Sequence, residues 1–226
     1  MPRLYIISGP NGSGKTTASY SVLPELLDCM EFVNSDEFAK HLSPFAPDGA
    51  YVTASRLMLK KVEYLFDRRE DFCIETTLAT RSLLKLTRRA QALGYYVTVL
   101  YLWLNSPELA MERVAARVLA GGHNVPEETI RRRYRLGLHY LFHSYMQTCD
   151  KWILADNSTP PFTIIAEGSK KGLAIRDMEK YKIVRSLVED VPEPMGSAEN
   201  AAEFIMKEIA KAPPLAHDGV PYQEEK

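Results

Sequence analysis

At 226 residues, with 46% hydrophobic and 25% charged side chains, the chain has room for one α/β domain and a modest appendage but not for two full enzymatic domains. A formal net charge of −1 argues against the global positive charge that draws proteins to nucleic acid, and the three cysteines, Cys29, Cys73 and Cys149, form no C-x-x-C pair that would suggest zinc or a disulfide framework. No apolar run approaches the roughly 20 residues that span a bilayer, and Met1-Pro2 leads straight into a strand-like stretch, so a cytoplasmic protein with neither secretion signal nor anchor is expected.

Leu4 to Ile7 predicts a buried parallel strand that feeds a glycine-rich turn, and a helix should run from Lys15 to about Leu27. Glu31 to Asn34 reads as a second strand, Ala50 to Arg68 as a helix with apolar residues at helical spacing, and Asp71 to Glu75 as a third strand. Arg81 to Leu93 predicts a helix stopped by Gly94, followed by Tyr95 to Leu104, the longest apolar strand. Ser106 and Pro107 open a helix to about Ala120; after Gly121-Gly122-His123-Asn124, the acidic turn Pro126-Glu127-Glu128 starts a long helix towards Cys149. Lys151 to Asp156 is expected as the last core strand and Asn157 to Pro161 as a linker. Beyond it, Phe162 to Glu167 and Leu173 to Arg176 suggest a hairpin, with helices near Met178 to Val188 and Ser197 to Lys211.

Strands alternating with helices predict a three-layer α/β sandwich, a mostly parallel central sheet covered on both faces, with a helix-loop-helix that can act as a lid and a small C-terminal appendage. The expected division is a catalytic domain over 1–157, a hairpin and helices over 158–211, and a disordered tail over 212–226. In such a sheet, chemistry gathers at the carboxyl ends of the strands.

The segment Gly9-Pro10-Asn11-Gly12-Ser13-Gly14-Lys15-Thr16 satisfies G-x-x-x-x-G-K-[ST] and is followed by Thr17. Small residues there let backbone N–H groups close around phosphates at a helix N-terminus, while Lys15 meets the β- and γ-phosphates of ATP and Thr16 the magnesium. Residue frequencies alone give roughly one accidental match per hundred chains of this length, and the placement between a strand and a helix makes accident rarer still.

Two carboxylates leave strand ends. In Asn34-Ser35-Asp36-Glu37, Asp36 is placed to accept a proton from an attacking hydroxyl, although Ser35 and Asp36 also suit a helix cap. In Glu75-Thr76-Thr77, Glu75 stands beside two hydroxyls that can hold a substrate or a metal-bound water. Arginines concentrate around the Gly-Gly loop: Arg113 and Arg117 before it, and Arg131, Arg132, Arg133 and Arg135 after it. Four-residue spacing puts Arg113 with Arg117, and Arg131 with Arg135, on shared helix faces and turns Arg132 and Arg133 elsewhere. Part of this charge serves a solvated surface and part a lid that closes on ATP through the Gly121-Gly122 hinge.

Taken together, Gly-Pro-Asn-Gly-Ser-Gly-Lys-Thr-Thr, Val-Asn-Ser-Asp, Glu-Thr-Thr-Leu and Gly-Gly-His-Asn-Val-Pro-Glu resemble the zeta toxin family of P-loop kinases, most closely its short stand-alone bacterial members, from Met1 to about Asp156. The resemblance implies Lys15 and Thr16 for ATP and Mg2+, Asp36 as general base, Glu75 and Thr77 for the acceptor, and Arg117 for phosphoryl contact. It also implies a small-molecule acceptor such as UDP-N-acetylglucosamine, and an antitoxin partner. The family carries a second lid arginine. Anchoring on Pro126 places His123 at that point, so either His123 or an arginine from 131 to 135, Arg131 first among them, fills the role. Competing expectations are a nucleotide or nucleic-acid end kinase, the latter disfavoured by the near-neutral charge, and a nucleotide-dependent switch, disfavoured by the absence of N-K-x-D and L-S-G-G-Q.

Overall fold

The computed structural model describes residues 1–26, 29–43, 51–122 and 124–189. The helix expected near 197–211 and the tail expected over 212–226 lie outside the described residues. The first half alternates β1 (Arg3–Ser8), α1 (Lys15–Leu26), β2 (Glu31–Val33), α2 (Ser35–Leu42), α3 (Tyr51–Arg68), β3 (Phe72–Thr76), α4 (Ser82–Ala92) and β4 (Tyr96–Trp103). Then come α5 (Pro107–Leu119), α6 (Glu127–Tyr140), a π-helical turn over Leu141–Tyr145, α7 (Met146–Thr148), β5 (Lys151–Asp156), β6 (Thr163–Ser169), β7 (Gly172–Ile175) and α8 (Met178–Glu189).

The strands form one seven-stranded sheet in the order β2-β3-β1-β4-β5-β6-β7. The five strands from β2 to β5 are parallel, whereas β6 and β7 join antiparallel. β1 thus sits in the middle with a neighbour on either side, and the loop after it opens at the carboxyl end of the sheet, where α/β folds bind ligands. Alternation along β1 explains the two layers around it. Leu4 and Ile6 join a large core with Val62, Leu65 and Ala90 of α3 and α4 and Ile130 and Leu138 of α6. Tyr5 and Ile7 face the other way, towards Ala18 of α1, with Cys73, Leu100 and Ala155. All three cysteines are buried free thiols.

At the amino ends of the strands, Phe66, Phe72 and Tyr95 form a triangle with centroids 5.3–5.7 Å apart and rings edge to face. Each such contact adds about 0.5–1.5 kcal/mol to area burial. The Tyr95 hydroxyl donates to the carbonyls of Leu65 and Glu70, fastening the α3–β3 turn to β4. The end of the sheet away from the phosphate loop is therefore closed by apolar packing.

Two elements differ from expectation. Lys151–Asp156 is not the last strand of the core: Ile165 and Ala166 are fully buried, and β6 pairs with β5 from Lys151↔Ser169 to Asp156↔Thr163. The expected hairpin thus extends the central sheet, because its apolar residues complete the face left open by β5. Gly168 permits this packing, since a Cβ there would lie 2.4 Å from the Trp152 ring. The helix leading to Cys149 also widens by a π turn, which keeps Leu141 and Tyr145 both inside the core. Among the described residues no helix is long and apolar enough to cross a membrane.

Candidate functional site

The phosphate loop owes its shape to glycines at positive φ. At Gly9 (φ +144°) a Cβ would stand 2.4 Å from the Leu102 carbonyl oxygen, and at Gly14 (φ +78°) one would stand 2.7 Å from Asn157 Nδ2. Any side chain at either position forces the loop away from β4 or from the segment after β5. Pro10, Asn11, Gly12 and Ser13 make the turn, with Ser13 N–H donating to the Pro10 carbonyl at 3.2 Å. Lys15, Thr16 and Thr17 then open α1, whose first turn offers N–H groups and the positive end of a dipole to an anion. Lys15 is buried and donates from Nζ to the Pro10 carbonyl at 2.9 Å, arching over the loop it would share with phosphate. The Ser13 hydroxyl is fully buried within this turn, and Thr17 is exposed.

On the β3 side, Glu75 Oε2 accepts from Thr16 Oγ1 at 2.8 Å and from Asn34 Nδ2 at 2.9 Å. The parallel pairing of β1 with both β3 and β4 and of β2 with β3 puts Ser8, Glu75 and Asn34 at one end of the sheet, so three sequence-distant groups meet. Asp36 is the second residue of α2, two positions after Asn34. Thr77 lies two residues beyond Glu75 and is half-buried, while Leu78 turns the chain at φ +57° with its N–H donating to Thr76 Oγ1.

The helices bearing the arginines behave less uniformly than their spacing suggests. Ser106 caps α5 by accepting from Leu109 N–H, and Pro107 takes the first helical position. Arg117 is exposed near the end of α5, where Gly122 folds back to donate to its carbonyl. Arg131 bridges to Glu108 of α5 at 2.7 Å, both side chains lying largely in solvent, and this hydrogen bond holds the Glu108 carboxyl below its ordinary value. Arg135 is exposed, and His123 lies outside the described residues.

Two residues that spacing did not place here, Arg133 and Asn157, contact the loop, and Arg113, paired by spacing with Arg117, holds its support instead. Arg133, expected to point elsewhere, donates to Asn11 Oδ1 at 3.1 Å. Ile130, Tyr134 and Leu138 form the buried stripe of α6, and Arg131 and Arg133 flank it on opposite sides, one towards α5 and one towards the phosphate loop. That stripe was legible in the sequence and could have separated them. Asn157, expected in a linker, donates from Nδ2 to the Ser13 carbonyl at 2.8 Å and from its backbone to the Trp103 carbonyl at 2.9 Å. Arg113 clamps the same segment, donating to the carbonyls of Asn157 at 2.9 Å and Ser158 at 2.7 Å.

A model of the Zeta toxin family matches residues 1–141 of the chain. An uncharacterized protein of Haemophilus influenzae is 31% identical over 128 residues, which is 56% of this chain and 88% of that protein. The fold superposes on a chain of the AvrRxo1-ORF1:-ORF2 complex with ATP at a TM-score of 0.69 and 13% identity, covering 92% of this chain and 76% of that one. It superposes also on a chain from the PezAT chromosomal toxin-antitoxin system of Streptococcus pneumoniae, at a TM-score of 0.62 and 15% identity over 93% and 85% of the two chains. At these identities the two solved structures speak to the fold.

Proposed function

The chain belongs to the zeta toxin family of ATP-dependent P-loop kinases, and from that premise we propose that it passes the γ-phosphoryl group of ATP to a hydroxyl of a small molecule, first among them a UDP-amino sugar such as UDP-N-acetylglucosamine. The observation that carries this reading is the Thr16–Glu75–Asn34 cluster, which joins the nucleotide loop to the end of β3 with oxygen and amide groups. Glu75 and Thr77 follow β3 and Asp36 opens α2 after β2, the strand beside β3, so all three belong to the carboxyl end of the sheet where an acceptor would meet the nucleotide.

Each residue then has a task. Lys15 gives up the Pro10 carbonyl and takes the β- and γ-phosphates, helped by the first-turn N–H groups of α1. Thr16 and Glu75 supply the hard oxygen donors that suit Mg2+, which needs one or two protein oxygens besides the phosphates and neutralises charge on them. Asp36 takes the proton as the acceptor oxygen bonds to the γ-phosphorus and the bond to ADP breaks. Arg117, with Arg131 or His123 as its lid partner, meets the charge that spreads over the moving phosphoryl group. An antitoxin that holds the enzyme inactive is the partner proposed for it.

The test incubates the protein with ATP, Mg2+ and UDP-N-acetylglucosamine and follows ADP release and product mass. One phosphorylated sugar per ADP is expected. Slow ADP release, unaffected by this or a panel of other hydroxyl-bearing nucleotides and sugars, would return the chain to the nucleotide-switch alternative.

A further inference from the structure

The chain beyond residue 141 lies outside the matched family segment, yet a set of hydrogen bonds joined through adjacent residues 156–158 leads from its last described helix to the phosphate loop. Lys180 of α8 meets Asp156 Oδ2 at 2.8 Å. Asp156, whose side chain is 9% exposed, uses its other oxygen to accept from Ser158 N–H at 2.8 Å and Ser158 Oγ at 2.5 Å. Ser158 Oγ accepts in turn from Asn105 N–H at 2.8 Å, so the turn after β5 is tied to the end of β4. Asn157, next in the chain, reaches Ser13 of the loop, and Arg113 holds its carbonyl from the lid side.

We propose that Lys180 and Asp156 are positioning residues for the nucleotide, acting through Asn157 on Ser13, so that the C-terminal hairpin and helix are a working part of the phosphate site and not an accessory to it. The Ser13 carbonyl must turn away from the phosphates for the next N–H groups to face them, and Asn157 is the group that holds it there. Gly14 leaves no slack at that point, since even a Cβ would stand 2.7 Å from Asn157 Nδ2. Asn157 can grip Ser13 only while the turn stays folded on Asp156. The Asp156 carboxylate is opposed by burial but kept charged by Lys180 and Ser158, which hold it below the ordinary carboxylate value.

This inference rests on the reading that the loop binds ATP, and direct binding of Mg-ATP measured by titration calorimetry separates the two. With the wild type as reference, Asn157→Ala should weaken ATP about tenfold, the equivalent of ~1.4 kcal/mol. Lys180→Met should weaken it about fivefold, in the range of one lost hydrogen bond, and Lys180→Arg should restore affinity to within about twofold. Melting temperatures measured alongside show whether each variant is folded at the titration temperature. If folded Lys180→Met binds ATP like the wild type and only its melting temperature drops, Lys180 is a tie of the fold and the proposal is wrong. A wild type that binds no ATP overturns the kinase reading itself, and this inference with it.

Discussion

The phosphate loop and the lid share one end of the sheet but are held in opposite ways. Besides its own local bonds to the Pro10 carbonyl, the loop is held by side chains from distant parts of the chain: Asn157 on Ser13, Arg133 on Asn11, Glu75 on Thr16. Around the lid, Arg117 and Arg135 are exposed and Arg131 is engaged with a carboxylate that is itself in solvent. An exposed ion pair contributes about 0–1 kcal/mol, so Arg131 can exchange Glu108 for a phosphate at little cost. The difference teaches that the nucleotide half of the site is held by the fold itself, whereas the arginines proposed to stabilise charge in flight are left to be brought in by the proposed closure.

The largest test of that contrast removes the loop's cation. Lys15→Ala should cut turnover by roughly 10²-fold or more and weaken ATP together with it, because no backbone amide can replace the ammonium. Full turnover in steady-state assays would break the assignment of the loop. Asp36→Asn comes next, with phosphoryl transfer falling roughly 10²-fold or more while ATP binding stays near wild type. Transfer that survives, with only a lower melting temperature, would mean that Asp36 caps α2 and does nothing else. On the lid, Arg117→Ala should lower kcat by about tenfold with a much smaller change in ATP affinity, as expected for a contact made mainly in the transition state. Arg131→Ala sharpens the comparison from the other side. Loss of its exposed pair should move stability by no more than about 1 kcal/mol, so a drop in kcat with the protein still folded would report catalysis.

Local patterns made the loop legible and hid what supports it. The strand before Gly9, the glycine spacing and the helix from Lys15 are contiguous, so the sequence carries the whole cradle, and short apolar runs carry β1, β3 and β4. Asn157 is separated from Ser13 by 144 positions, and no periodicity links a lone asparagine before two prolines to a turn near the amino end. Arg133 was misplaced for a different reason. Four-residue spacing says which arginines share a face but not which neighbour that face meets, and only the buried Ile130–Tyr134–Leu138 stripe orients α6. The hairpin was legible as a hairpin, but its membership of the central sheet depends on Ala166 finding Leu154 and Ile164 finding Ala155 across a register shift in β5–β6 pairing.

The smallest expected effect concerns pH, and it probes the seam where the preorganised half meets the C-terminal helix. Burial pushes the Asp156 carboxyl up, but donation from Lys180 and Ser158 prevails and leaves its value below the ordinary 3.8. A carboxylate with a lowered value in the folded state adds stability that is complete above its unfolded value and is lost as the pH falls through the folded one. Asp156→Asn removes that contribution at every pH. The gap in melting temperature between wild type and variant should therefore be widest near neutrality and narrow below about pH 4, as the wild-type carboxyl takes up its proton. Asp150, at the other end of β5, offers the control. Burial raises it too, and donation from Val97 N–H, Gln91 and Lys170 lowers it on balance, but it lies away from the phosphate loop. Asp150→Asn should show the same narrowing in melting temperature and leave ATP affinity unchanged, whereas Asp156→Asn should weaken ATP at neutral pH. A gap for Asp156→Asn that stays constant from pH 7 to below 4 would show that its charge contributes nothing to holding the seam.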